Sequence, residues 1–102
     1  MYLVQIFLPL RDSAGRRIAK TKFGETKDLL TRRFGGLTAF TRAPAEGLWK
    51  PAGKKLERDQ IVIFEVMVKR LNKKWWQGYR RELEAGFGQK KILILCQKIT
   101  TV

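Results

Sequence analysis

The sequence predicts an α+β domain. Three observations carry that prediction. Apolar residues alternate with a period near two in four short stretches, recur at helical spacing in two longer ones, and are separated by turn residues. The resulting order is strand, helix, strand, strand, helix, strand.

Tyr2 to Leu8 reads as the first strand. Leu3, Gln5 and Phe7 point one way, and Val4, Ile6 and Leu8 the other. Apolar residues on both sides suit a central position. Pro9 has no N–H to give a ladder and ends it. Arg11 to Arg16 is turn chemistry, with Asp12, Ser13 and Gly15 close together. Lys22 to Phe34 reads as the first helix, with Phe23, Leu30 and Phe34 at helical spacing and Thr21 as N-cap. Gly35-Gly36 supplies the left-handed residue that stops it. Arg32 and Arg33 suit the negative end of the helix dipole.

Leu37 to Arg42 reads as the second strand, stopped by Pro44. A long connection follows, 45–59, with Gly47, Pro51, Gly53 and a lone Trp49. Gln60 to Val68 reads as the third strand. Val62, Phe64, Val66 and Val68 form one side, and Ile61, Ile63, Glu65 and Met67 the other. Asn72 is a good N-cap for a helix over Lys73 to Phe87. Trp75, Tyr79, Leu83 and Phe87 are expected to form its core stripe, with Trp76 at the edge. Lys91 to Gln97 reads as the last strand, with Cys96 expected as a buried small apolar residue.

Each strand–helix–strand unit needs a right-handed crossover. Two such units give a ferredoxin-like βαββαβ fold: a four-stranded antiparallel sheet with both helices on one face. The whole chain, 1–102, is expected to be this single domain. The other sheet face would carry Leu3, Gln5, Phe7, Ile61, Ile63, Glu65, Met67, Leu93 and Leu95. An apolar face of that size marks an interface or a ligand site. A homodimer with sheets packed face to face is the expected remedy. The rival is a cover made by the C-terminal tail or by the long loop with Trp49.

Composition narrows the chemistry. There is no histidine and one cysteine. A histidine-based triad, a histidine general base, a Cys-rich metal centre and a disulfide within the chain are therefore excluded. No metal or cofactor is implied. No apolar run is long enough to span a membrane. The apolar N-terminus lacks a basic leader and a cleavage site, and reads as a strand; the cytoplasm is the expected compartment. The 22 Lys and Arg against 9 Asp and Glu leave a net charge of +13. That favours an anionic partner: a small anionic molecule, an acidic protein or nucleic acid. The plainer reading is solubility, since the cations are spread along the chain. The third strand has no aromatic RNA-stacking signature, so nucleic acid is a matter of charge alone. Neither a P-loop nor a G-x-G-x-x-G is present.

Glu65 is the most suggestive side chain. A carboxylate in mid-strand among apolar residues is either paired or perturbed, and a perturbed one suits acid–base catalysis. The plainer reading is a charge pair with Arg42, whose planar fork also suits a carboxylate or phosphate ligand. Trp49 either anchors its loop or lines a cavity.

Arg33-Phe34-Gly35-Gly36-Leu37-Thr38, Gly47-Leu48-Trp49 and Phe87-Gly88-Gln89 together resemble a set of small bacterial proteins. These pair an F-G-G-L-T segment and a G-x-W loop with a late F-x-Q. The resemblance spans most of the chain and implies a ferredoxin-like fold and a bacterial cytoplasmic setting, with Thr38, Trp49 and Gln89 as special positions. It implies no substrate. The start of the chain is also similar to small CRISPR-associated nucleases, but Leu8-Pro9-Leu10 stands where those carry an acidic metal ligand. The expected function is then a dimeric module binding an anionic ligand near Thr38, Arg42, Trp49 and Glu65. The alternatives are a cofactor-free enzyme of the dimeric α/β-barrel type using Glu65, and charge-driven nucleic-acid binding.

Overall fold

The computed structural model describes residues 1–36, 38–42 and 61–102, the segment 38–42 by its backbone alone. The expected connection with Trp49 lies outside the described residues. The elements are β1 (Tyr2–Pro9), α1 (Lys20–Phe34), β2 (Thr38–Arg42), β3 (Ile61–Val68), α2 (Lys73–Gly86) and β4 (Leu93–Lys98). The architecture is α+β, with antiparallel strand pairing and two helices.

The described strands form one sheet in the order β2-β3-β1-β4. The alternation in β1 has the consequence read from the sequence. Val4, Ile6 and Leu8 are fully buried, while Leu3, Gln5 and Phe7 are half-buried. Phe64, Val66 and Val68 of β3 share the core with Leu30 of α1 and Trp76, Tyr79 and Leu83 of α2. Both helices therefore cover the Val4–Ile6–Leu8 side. Ile63 is also buried, yet it is no part of that core.

Helix α1 starts at Lys20 rather than Lys22, and Ala19 rather than Thr21 is the N-cap. Ala19 has no side-chain acceptor, so this end is uncapped. Ile18 and Phe23 both pack on the core and flank the first turn as a hydrophobic staple does. Packing there outweighs the cap. At the other end Gly35 takes φ 79° and its N–H donates to the Thr31 carbonyl, a conformation that favours glycine.

In α2 the Asn72 side chain accepts from the Trp75 N–H at 3.0 Å, as its capping chemistry predicts. The core stripe differs from the expected one. Trp76 is buried and Trp75 half-buried. Four residues advance a helix by about 400°, so a strict spacing of four walks off the core. Trp76, Tyr79 and Leu83, stepping by three and then four, stay on it. The helix ends at Gly86, and Phe87 closes the stripe as C-cap.

Past the helix, Gly88 is left-handed at φ 58°, and its carbonyl accepts from the Ser13 N–H at 3.0 Å. A Cβ on Gly88 would meet the Asp12 Cβ at 2.9 Å. Gln89 reaches back, donating to the Arg11 carbonyl at 2.7 Å. Gln89 thus ties two loops together. Asp12 accepts from the backbone N–H groups of Arg16 and Ala14, and the first of these leads in holding its carboxyl below the usual range.

Cys96 is exposed, against expectation. Among the described residues strand β4 pairs on one side only, with β1, and Leu95 to Lys98 are all exposed. Cys96 borders a shallow depression with Lys73, Trp76 and Arg80 of α2, which leaves the thiol open to solvent. Partial desolvation still raises the Cys96 thiol, with Lys73 pulling it back.

Candidate ligand site on the open sheet face

Alternation places a second set of residues on the face away from the helices. Strand register arranges them in rows, because directly opposite residues share a face. Leu93, Phe7 and Ile63 form one row, and Phe40 follows Ile63 in register. Leu95, Gln5 and Glu65 form the next, with Thr38 opposite Glu65. Gln97, Leu3 and Met67 form a third.

Met67, Leu93 and Leu95 are 57%, 48% and 45% exposed, high values for large apolar side chains. Apart from Gln97 at the exposed edge, the polar residues lie in the middle row. The Gln5 amide Nε2 donates to Glu65 Oε2 at 2.7 Å, and both residues are half-buried. A bond to a carboxylate of this length is short and strong. It fixes the Glu65 rotamer and occupies one oxygen. Among the described residues nothing else bonds this carboxylate.

Glu65 therefore lies mid-sheet with Gln5 as its partner. The charge pair expected with Arg42 is not what the register favours. Arg42 stands opposite Ile61, four residues along β3 from Glu65, which is about 13 Å of strand. Thr38 is next to Glu65 across the β2–β3 pair. Trp49 lies outside the described residues. Sequence reading placed Gln5 on this face but did not pair it with Glu65. Each is the polar interruption of an apolar strand, but only the antiparallel register brings the two together.

On the opposite side of the molecule, the helices form a second depression. Arg33 stacks its guanidinium over the Trp75 ring, 4.2 Å from the centroid. Phe34 stacks on Trp76, and Trp75 on Tyr79. Burial pushes the Tyr79 phenol up to about 12, with Thr26 hydrogen bonding in the opposing direction and Glu82 adding to the rise. Among the described residues no three potential metal ligands cluster, and no helix is long and apolar enough to cross a membrane.

The sequence matches no protein-family model and no curated protein. Its fold is similar to that of a phage SAM lyase solved in complex with S-methyl-5′-thioadenosine. The two are 16% identical, with a TM-score of 0.55 over 95% of this chain and 80% of the lyase. At that identity the likeness concerns the fold.

Proposed function

We propose that this chain is a small ligand-binding α+β module of ferredoxin-like type, with its ligand on the open sheet face. One observation carries the reading: the Gln5–Glu65 hydrogen bond in the middle of an apolar face. Half-burying a carboxylate costs free energy unless it is paired, and here, among the described residues, one partner holds it. Leu93, Phe7 and Ile63 flank it on one side and Leu3 and Met67 on the other, so a ligand would meet a mainly apolar floor with one oriented polar anchor. That is the usual composition of a small-molecule site.

In this reading Thr38, opposite Glu65 in register, and Arg42, opposite Ile61, extend the site along β2. The net charge of +13 draws anionic ligands toward the protein, and such a ligand meets the Glu65 carboxylate through a donor group, not through its own charge. A second copy of the chain covers the face, sheet against sheet, and makes the open floor a cavity between subunits. Exposed Met67, Leu93 and Leu95 are the reason a cover is needed.

A second reading is a small cofactor-free enzyme with Glu65 as its acid–base group. The fold likeness to a lyase favours it by analogy. The pinned rotamer suits the role, because a general base must hold its geometry toward the substrate.

The test begins with solution mass by light scattering at low and high salt. The expected result is a salt-independent dimer; a monomer removes the cavity between subunits. S-methyl-5′-thioadenosine and S-adenosylmethionine are then titrated by calorimetry against the parent and Glu65→Gln. Binding that is weakened by the substitution, with no turnover of S-adenosylmethionine, favours the module. Turnover of S-adenosylmethionine that disappears with it favours the enzyme. No binding by any sheet-face ligand, with Glu65→Gln silent throughout, overturns both.

A further inference from the structure

The depression between the helices lies on the far side of the sheet from Glu65, and it has a chemistry of its own. It is an open groove of about 540 Å³. Arg32 and Arg33 border it from the last turn of α1, and Lys74, Trp75, Tyr79 and Glu82 from α2. Lys74, Gly78 and Glu82 follow at steps of four on α2, so they line one side over about 12 Å. The cations therefore gather at one end and the carboxylate lies toward the other. The first turn of α2 holds no acidic residue to offset Lys74.

Gly78 is the second observation. It sits inside α2, where glycine is the poorest helix former after proline. A Cβ built on it meets nothing within 4 Å. No packing within the described chain requires a glycine here. The space it leaves is part of the groove.

From these two observations we infer that the α1–α2 groove is a nucleotide site, taking a nucleotide either free or as a unit of single-stranded nucleic acid. Arg32, Arg33 and Lys74 supply the phosphate contacts. The base stacks on the guanidinium plane of Arg33, extending the Arg33–Trp75 stack, a use of arginine common in single-strand recognition. Glu82 faces away from the phosphate end and accepts from a base amino group or a ribose hydroxyl. A bare phosphate would leave the aromatic wall and Glu82 unused, and a groove of this volume suits a ligand of nucleotide size. This inference is independent of the sheet-face reading, since it shares no residue with it.

The experiment is fluorescence anisotropy with a labelled oligothymidylate and a labelled oligoadenylate, competed by adenosine monophosphate, at several salt concentrations. The variants are Arg33→Ala/Lys74→Ala, Gly78→Leu and the charge-matched control Lys90→Ala/Lys91→Ala. The parent is expected to bind. The groove pair is expected to weaken binding at least about tenfold and to lower the salt slope by about 1.4, the figure for two lost contacts to a single strand. Gly78→Leu removes no charge and fills the groove, and is expected to weaken binding as well. Circular dichroism checks that each variant is folded. Competition by the mononucleotide at comparable concentration assigns the site to free nucleotides; binding of the oligomers alone assigns it to single strands. Absence of binding, or equal losses in the groove pair and the control, overturns the inference. So does a folded Gly78→Leu that binds as the parent does.

Discussion

The two faces of the sheet are built from the same strands and have opposite fates. On one, Val4, Ile6 and Leu8 lie under two helices and lose all contact with water. On the other, Leu93, Leu95 and Met67 remain about half exposed, around a hydrogen-bonded Gln5–Glu65 pair. Hydrophobicity alone does not separate them. The faces differ in what covers them and in the polar pair at the centre of the open one. The covered face has no polar residue among its strand positions in β1 and would reject an unpaired one. The open face keeps a carboxylate because a neighbouring amide and partial solvation lower its cost.

That contrast is sharpest in truncations. Trp76→Ala, in the covered core, is expected to cost about 4 kcal/mol and Leu8→Ala about 3 kcal/mol. Leu95→Ala on the open face is expected within about 0.5 kcal/mol of the parent for an isolated chain. Urea melts at two protein concentrations check all three. A large, concentration-dependent loss for Leu95→Ala would show a second copy seated on the face.

The covered core also holds a titratable group, the phenol of Tyr79. Its folded value, about 12, lies above the ordinary 10.0. The fold favours the neutral phenol, so this contribution is fully present below pH 10 and is lost as pH rises through 12. Stability followed across that window should fall for the parent and stay flatter for Tyr79→Phe.

Smaller effects are expected at the polar row. Gln5→Ala leaves Glu65 without its donor and is expected to cost about 1 kcal/mol. Gln5→Leu together with Glu65→Leu removes both groups, and is expected to be near neutral in stability while abolishing any sheet-face ligand binding. Melts and calorimetry on the same preparations separate the two effects. The least effect on the fold is expected from modifying Cys96. Its raised thiol should place the pH profile of iodoacetamide alkylation above that of free cysteine, followed by mass spectrometry.

The element order was legible because two periods, near two and near 3.6, survive in the sequence wherever a face is buried. The Asn72 cap and the left-handed Gly35 were legible because their chemistry is local. The start of α1 was misplaced because Ile18 and Phe23 gain more from the core than Thr21 would from capping. Trp75 and Trp76 exchanged roles because adjacent indoles differ by only about 100° around a helix, and the partner helix decides which is inside. Cys96 was read as buried because an apolar run does not say whether its strand is at an edge.

By itself, then, the sequence determined the kinds of elements, their order, the two-sided character of the strands and the absence of histidine chemistry. Each follows from residue type and spacing along the chain. Only the tertiary structure decided that Gln5 meets Glu65, 60 positions further along the chain, that Arg42 aligns with Ile61, and that Arg33 stacks on Trp75 beside Gly78. These depend on strand register and on the docking of one helix against another. A one-residue slip of register would turn Glu65 to the other face, and nothing in the local pattern of either strand names its partner.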